Sequence, residues 1–490
     1  MTTTNATSAP PAARTPGLSY LEHLPDWLVA ATDPGQVIAA LKRHVAEFAS
    51  GELAVRTCEL DRLRLKGERW EALFELAING QGGKRDVMLT GTLTPPGAPA
   101  AEARPSGGAF GTPEWRCSIP ELGLDLWMYF EDAALEALPL LTDAALAQPF
   151  LQESIRACSP HYAGLTIASC KPKVKRYKPG SRCTVLYFLG YGAAPGSEQW
   201  PDLVVAKTYS RDKGQNAYEA MSKMWASPLS KGDVVAIAEP LAYVPEHKIL
   251  VQGPVRGDRS YKDLLRSALR DGSPAALDEL YAITRKIAAG LVALHHSGAR
   301  HGETVTWDDE LAEIRGEVDK LSAADPHFRA AAEPLLDQLA AISAAHPAEA
   351  TLPSHRSFRP QQVQIDGDAI GFIDFDGYCL AEPALDIALF RATVKEMGIN
   401  TSPSEKQKEF EYASEADRRA RLAQLDTICE IFLAEYERLA PISRQRVALW
   451  EALDLLTVVL RCWSKVKPHQ IGNAMLMLES QLSSSGLLPT

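Results

Sequence analysis

The chain has 490 residues, of which 46% are hydrophobic and 23% charged, so it can bury a large core. A length of about 150 residues per domain predicts roughly three domains. The formal net charge of -11 argues against an extended surface for nucleic acid or anionic membranes. The eight cysteines form no Cys-x-x-Cys pair, and no run of about 18 apolar residues occurs. We therefore expect a cytoplasmic protein with reduced thiols and with neither nucleic-acid nor membrane partners.

Changes in composition divide the chain into regions. Residues 1–17 are rich in Thr, Ala and Pro without a basic start or an apolar run, which predicts a disordered leader. Residues 18–157 mix short helical and strand patterns and predict an N-terminal α+β domain. Strand patterns then precede long helical ones, which predicts a small sheet-bearing lobe at 165–256 and a helical lobe at 257–490.

The strand patterns of the small lobe follow a basic turn. Val185–Leu189 and Asp202–Lys207 predict a hairpin with a long connection, and Lys248–Gln252 predicts a further strand. Two interpretations of the basic residues before and in the turn stay open: a solvated strand face, or a rim that attracts phosphate. These residues are Lys171, Lys173, Lys175, Arg176, Lys178 and Arg182.

The helical patterns come later and have clear start and stop signals. Ser273 followed by Pro274 predicts a helix start, and apolar residues then recur at three- and four-residue steps as far as Leu294. Two more apolar stripes follow, and Pro441 separates them. These stripes predict core-facing helices.

A polar loop followed by a hairpin is the most informative segment. Val363 and Ile365 alternate before the turn signal Asp366-Gly367, and apolar residues alternate again after it. A hairpin returns the chain to its starting point, so the loop 355–362 should lie beside Asp374. A polar loop next to a carboxylate is how kinases build a phosphoryl-transfer site.

These residues resemble the aminoglycoside phosphotransferase and choline kinase family, whose fold is protein-kinase-like. The family's loop, His-Gly-Asp-x-x-x-x-Asn, precedes the hairpin, and Ile-Asp-(Trp/Phe)-(Asp/Glu) and Pro-x-x-Asp-(Leu/Ile)-Ala follow it. This chain has Ile373–Asp376 and Pro383–Ala388 at matching spacing. The resemblance covers about residues 165–485 and implies an α+β, two-lobe fold that binds ATP and Mg²⁺.

The resemblance also implies roles for residues around the loop. Asp374 would be a magnesium ligand together with Gln362, and Asp386 would brace the loop from a helix start. His355 keeps the first position of the loop motif. Magnesium prefers hard oxygen ligands and keeps several waters, so one carboxylate and one amide suffice.

In the small lobe, the resemblance implies a set of nucleotide-binding residues. Lys207 takes the place of the family's phosphate-pairing lysine, and Glu219 would be its salt-bridge partner. The turn with Ser181 and Arg182 lies where the phosphate-covering loop should be. Gln252 belongs to the hinge that would offer backbone hydrogen bonds to adenine.

The loop departs from the family pattern at three positions. Ser357 replaces the catalytic aspartate, Arg356 the preceding glycine and Gln362 the magnesium-binding asparagine. A serine hydroxyl does not take up a proton near pH 7, and a carboxylate base contributes about 100- to 10,000-fold to the rate. Gln362 keeps an amide oxygen on a longer side chain, and Arg356 could clamp a phosphate or block the acceptor.

Two nearby patterns do not predict a site. His301-Gly-Glu303 imitates the spacing of the loop, but its continuation runs into a helix without a hairpin. The pair His295-His296 predicts packing at a helix end rather than a metal site.

A stretch near the N-terminus resembles the small lobe. Residues 58–92 can be laid over residues 170–208 so that Arg69 meets Arg182 and Gly91 falls where Lys207 stands. Two ordinary amphipathic hairpins would explain this. The alternative is a duplicated nucleotide lobe that has lost its lysine and serves as an interaction module.

Two function classes remain. The chain is either a kinase-like protein that binds ATP and Mg²⁺ with weak or absent phosphotransfer, in a regulatory or scaffold role, or an active ATP-dependent small-molecule O-phosphotransferase. Besides the nucleotide, its partner would be an unidentified small-molecule acceptor or a protein.

Overall fold

The computed structural model describes residues 18–66, 69–80, 83–95, 106–129, 132, 134–192, 200–231, 233–404 and 410–487. The predicted leader at 1–17 lies outside them. The strands are β1 (Ala54–Lys66), β2 (Arg69–Gly80), β3 (Gly83–Leu93), β4 (Arg116–Ile119), β5 (Leu124–Tyr129), β6 (Ile167–Lys178), β7 (Arg182–Tyr191), β8 (Leu203–Tyr209), β9 (Ala236–Ile237), β10 (Pro240–Val244), β11 (Ile249–Gln252), β12 (Arg259–Ser260), β13 (Leu352–Ser354), β14 (Val363–Asp366), β15 (Ala369–Phe372) and β16 (Cys379–Ala381).

Together with these strands, the helices confirm the predicted α+β class. They are α1 (Asp26–Thr32), α2 (Pro34–His44), α3 (Ala46–Ala49), α4 (Leu138–Thr142), α5 (Ala144–Cys158), α6 (Gly214–Trp225), α7 (Tyr261–Asp271), α8 (Pro274–His295), α9 (Trp307–Ala324), α10 (His327–Ala345), α11 (Ala384–Ile399), α12 (Glu415–Leu439), α13 (Arg444–Ser464) and α14 (Pro468–Ser484). Within the described residues, no helix combines the length and hydrophobicity needed to cross a membrane. All eight cysteines are free thiols.

The contacts divide the chain into two compact units, and each is built from separate segments. The first unit comprises residues 1–130, 308–347 and 452–490 and contains an antiparallel sheet in the order β1-β2-β3-β5-β4. Helix α2 starts at the N-cap Asp33, whose side chain accepts the Gln36 amide hydrogen at 2.8 Å. Val37 and Leu41 on this helix are fully buried.

The second unit comprises residues 131–307 and 348–451, and its larger sheet has the order β6-β7-β8-β11-β10. The core of this sheet includes Val185 and Val204 with Leu151 and Ile155 of α5, all fully buried. Helix α5 therefore packs on the sheet of the second unit, whereas the sequence interpretation placed it in the preceding domain. The apolar stripe of α5 needs a sheet to cover it, and the sequence does not say which one.

The two five-stranded sheets share one strand order, which supports the predicted duplication, but the predicted register is wrong by one residue. Ala72 and Val185 both face the core, and Ala72 pairs with Gly91 whereas Val185 pairs with Ala206. Gly91 therefore corresponds to Ala206, and Thr92 corresponds to Lys207. The loops between the paired strands differ in length, and a slip of one residue moves a side chain to the other face.

The loop and the hairpin form as predicted. Strands β14 and β15 pair antiparallel around Asp366 and Gly367, and Gly367 has a φ of 56° that glycine adopts without strain. The Ile373 amide hydrogen then bonds the Gln362 carbonyl at 3.0 Å. This bond returns the chain to the end of the loop and brings Asp374 beside it.

Candidate active site

A buried carboxylate holds the start of the loop. Asp386, in the first turn of α11, accepts the backbone N–H of His355 at 2.6 Å and that of Arg356 at 2.8 Å. The ring of His295 contacts the same carboxylate at 3.2 Å and the Tyr436 hydroxyl at 2.7 Å. Hydrogen bonds to a charged acceptor are strong, so this network fixes the loop backbone.

Arg356 is strained. Its φ is 58°, in the left-handed region that favours glycine, and it stands where the family has glycine. Its Nη1 donates to Glu303 Oε1 at 2.7 Å. Glu303 is positioned by two backbone bonds of 2.8 Å, from the Leu380 N–H to the Glu303 carbonyl and from the Val305 N–H to the Leu380 carbonyl. The segment that only imitated the loop in sequence therefore lies against the loop in space.

The hydroxyl group of Ser357 donates its hydrogen bond to another residue of the loop. His355 Nε2 lies 3.1 Å from the Ile373 carbonyl, which only accepts, so this nitrogen carries the ring proton. Burial lowers the pKa of His355, which keeps the ring neutral and leaves Nδ1 as an acceptor. The Ser357 hydroxyl, 3.2 Å from Nδ1, therefore donates to the histidine. No carboxylate is present at position 357 to accept a proton from an acceptor hydroxyl.

Two cations and two carboxylates meet beside the loop. Lys207 Nζ donates to Asp374 Oδ1 at 2.7 Å and lies 3.5 Å from Asp376 Oδ1. Arg182 Nη1 lies 3.8 Å from Asp374 and 3.5 Å from Asp376. The Tyr209 hydroxyl also donates to Asp376, at 2.9 Å. The formal charges of the four ionised side chains sum to zero.

The cluster separates the pKa values of the two carboxyl groups. Burial would raise the pKa of Asp374, but Lys207 and Arg182 hold it below its usual range. Burial raises the pKa of Asp376, and repulsion from Asp374 adds to this effect against the attraction of Lys207. Burial would lower the pKa of Lys207, but both carboxylates raise it. Lys207 and Asp374 are therefore both charged near neutral pH.

The donor set fits a magnesium ion. Gln362 is buried, and its Oε1 has no hydrogen-bond partner among the described residues. A buried acceptor without a partner is costly unless something binds it. The described residues include no group of three His, Cys, Asp or Glu side chains placed to hold a metal. An ion here would therefore depend on Asp374, Gln362 and water, as magnesium allows.

The structure does not bring Glu219 to Lys207. The Glu219 carboxylate lies 3.4 Å from His301 Nε2 and accepts from Gln215 Nε2 at 2.8 Å, while Lys207 binds the two aspartates. A buried ammonium is stabilised by nearby carboxylates, whereas the Glu219 side chain is 44% exposed, so water competes for it.

The remaining residues that were predicted to bind nucleotide lie in the same sheet or in the turn between two of its strands. Ser181 follows Gly180, which has a φ of 65°, and the Ser181 carbonyl accepts the Ser210 N–H at 2.9 Å. Arg182 begins β7 directly after this turn. Gln252 is buried at the end of β11, in register with Val205 of β8.

Sequence reasoning did not assign roles to Tyr209, Asp376, His295 and Glu303. Tyr209 comes two residues after Lys207, so strand alternation could have placed both side chains on one face. Asp376 was part of the recognised motif but received no role. Glu303 reaches the loop by its contact with Arg356, and His295 by its contact with Asp386. These residues are far apart in sequence, so no local signal predicts either contact.

Comparison with known proteins agrees with the predicted family. Residues 229–422 match the family model described as "Phosphotransferase enzyme family". No curated protein sequence matches the chain.

Similar solved structures have low sequence identity. They include a glucosamine kinase in complex with glucosamine, ADP and inorganic phosphate, with a TM-score of 0.45 and 15% identity over 95% of this chain and 100% of that one. A choline kinase from Cryptosporidium parvum has a TM-score of 0.45 and 14% identity over 70% and 98%. An aminoglycoside phosphotransferase with ADP and hygromycin B has a TM-score of 0.43 and 13% identity over 69% and 98%.

Proposed function

Because residues 229–422 belong to the phosphotransferase enzyme family, we propose that this protein binds ATP with Mg²⁺ beside the loop and transfers phosphate weakly or not at all. Its role would then be regulatory or that of a scaffold. The observation that carries this proposal is the site of Lys207, Asp374 and Gln362 next to a loop that has Ser357 in place of a carboxylate.

The charged cluster supports the nucleotide part of the proposal. Lys207 and Arg182 can turn from the two aspartates to the phosphates of a nucleotide, which are also anionic. Asp374 and Gln362 would hold the magnesium ion, which when bound neutralises part of the phosphate charge. The Gln362 Oε1 would thereby gain the partner it lacks within the described residues.

The loop supports the second part of the proposal. An acceptor hydroxyl needs a group that orients it and takes its proton, and Ser357 is occupied as a donor to His355. Loss of a general base lowers a rate by about 100- to 10,000-fold. The loop backbone nevertheless keeps its support from Asp386, so the proposed site would keep its shape and lack its base.

One observation favours the alternative, an active small-molecule O-phosphotransferase. Phosphoryl transfer depends mostly on positioning and electrostatic stabilisation rather than on the base. Lys207 and Asp374 form an ion pair, and Asp386 holds the loop backbone. In this alternative, these residues would position the phosphates and the loop. Ser357 would then be a tolerated substitution.

Calorimetric titration and product detection on the same preparation test the proposal. MgATP should bind the unmodified protein, and Lys207→Met should weaken binding at least about tenfold, because an ammonium–phosphate contact is lost. Lys223→Met is the matched control, since Lys223 is an exposed lysine on α6. Absence of binding at millimolar MgATP would refute the nucleotide proposal. Rapid phosphorylation of an acceptor would favour the alternative.

A further inference from the structure

The strand register decides which basic residues of β6 share a face with Lys207. Thr184 of β7 pairs with Lys207 on one side and with Arg176 on the other. Residues that pair directly across a sheet point to the same face. Arg176, Thr184 and Lys207 therefore form one row across three strands.

Two parallel rows continue this face away from Lys207. Lys173, Leu186 and Val205 form the next row, and Lys171, Phe188 and Leu203 form the one beyond it. Each row thus has a basic residue on the edge strand β6 and apolar or small side chains in the centre. We call the set of Lys171, Lys173 and Arg176 the cationic rim.

The cationic rim is charged without compensation. Its three side chains are exposed, and within the described residues none of them has a carboxylate partner. Asp202, directly before β8, pairs instead with Arg256 at 3.0 Å. The apolar residues in the centre of the two rows, which we call the apolar floor, lie next to the rim. This floor is accessible as well, because Phe188 is 47% exposed. A chain with a net charge of -11 therefore has a concentrated positive patch beside an accessible apolar surface.

Two residues of the rim, Lys173 and Lys171, lie in rows beyond the one that contains Lys207 and Arg176. Successive residues on one face of a strand are about 7 Å apart, so the Lys173 and Lys171 rows lie about 7 and 13 Å from Lys207 along the strands. The apolar floor between them can accept a planar base. The rim would then face the ribose and base end of a nucleotide whose 5′ phosphates lie at Lys207.

We propose that the site takes a nucleotide with a second phosphate group on its ribose, and that the cationic rim binds this group. The proposal rests on the proposed function, because it places the 5′ phosphates at Lys207. It names the ligand class as a 2′- or 3′-phosphorylated nucleoside 5′-diphosphate or -triphosphate. Lys171 and Lys173 are the residues that distinguish it from a nucleotide without the extra phosphate.

The test compares ADP with its 2′-phosphorylated and 3′-phosphorylated forms by calorimetric titration in the presence of Mg²⁺. One of the two extra phosphates should tighten binding about tenfold, the effect of two or three exposed ion pairs. The double variant Lys171→Ala/Lys173→Ala should lose this gain while it keeps its affinity for ADP. The control Lys42→Ala/Lys223→Ala removes two exposed lysines of α2 and α6 and should keep the gain.

Each other outcome overturns the proposal in a distinct way. Equal binding of all three nucleotides would show that the rim is a solvated strand face. A gain that survives in the Lys171→Ala/Lys173→Ala variant would place the second phosphate elsewhere. Equal binding of the three nucleotides, together with a polyglutamate peptide that binds the unmodified protein but not the Lys171→Ala/Lys173→Ala variant, would assign the rim to an acidic protein instead. Failure of ADP itself to bind would refute the proposed function and this proposal together.

Discussion

Replacing Lys207 with methionine keeps most of the side-chain volume and removes the charge between Asp374 and Asp376. The ammonium lies 2.7 Å from one carboxylate and 3.5 Å from the other. At an effective dielectric constant of about 20, each attraction is about 5–6 kcal/mol before desolvation. Removing one partner of a buried ion pair destabilises a protein by about 3–5 kcal/mol, because the other charge stays buried without compensation.

For Lys207→Met we expect the free energy of unfolding to fall by about 3 kcal/mol, at the lower end of this range, for two reasons. Arg182 remains 3.5 and 3.8 Å from the two carboxylates. Asp376 can also take up a proton, since burial and Asp374 already raise its pKa. Without Lys207 that pKa rises further above the unfolded value, so the folded state binds a proton that the unfolded state releases. Relative to the unmodified protein, the penalty should therefore grow as pH rises from the folded pKa of Asp376 with Lys207 present to its higher folded pKa without Lys207.

Urea unfolding at pH 5 and pH 8 measures this effect. Lys207→Met should lose more stability at pH 8 than at pH 5, and Lys207→Met/Asp376→Asn should recover at least half of the loss at pH 8. The control Lys223→Met should change the free energy of unfolding by less than about 0.5 kcal/mol at both pH values. A loss below about 1 kcal/mol that does not depend on pH would refute the proposed electrostatic role of Lys207.

Two further predictions concern the support of the loop. Asp386→Ala leaves the buried amide of His355 and the partly buried amide of Arg356 without an acceptor, so it should lower the free energy of unfolding by about 3 kcal/mol in urea titrations. A loss as small as that of Asp368→Ala, which removes a 98% exposed carboxylate, would contradict the assigned network. His355 is neutral when folded because burial lowers its pKa, so its contribution to stability is complete above about pH 6.5 and falls below it by up to about 1.4 kcal/mol per pH unit. His355→Gln should remove this part of the acid slope between pH 5 and 6.5, and an unchanged slope would show that another group causes it.

Local signals predicted the loop, the hairpin and the helix start. Asp366-Gly367 specifies a two-residue turn, and the Ser273-Pro274 pair marks the start of α8, so both could be recognised without tertiary information. The departure at Ser357 was equally visible, because it depends only on the residue at one position of a motif.

The electrostatic partners could not be predicted in the same way. The candidate ion-pair partners of Lys207 were Glu219 and the two aspartates. Which of them it contacts depends on burial and on the folding together of segments that are more than 160 positions apart in the sequence. For the basic residues of β6, the sequence left open a solvated strand face or a rim that attracts phosphate, and it did not show which of them share a face. The register of β6 with β7 shows which basic residues lie on the same face of the sheet as Lys207. This register includes a bulge between Val174 and Arg176 that a sequence pattern does not show.

The transfer of labelled phosphate from ATP, measured alongside MgATP binding, tests most directly whether the loop limits the reaction. The unmodified protein should bind MgATP and form product far more slowly than about 1 per second, the low end of the usual kinase range. Ser357→Asp, alone or with Arg356→Gly and Gln362→Asn, should raise hydrolysis or acceptor phosphorylation about 100-fold or more while MgATP still binds. An unmodified protein that already turns over at about 1 per second or faster would contradict this account and establish the active phosphotransferase.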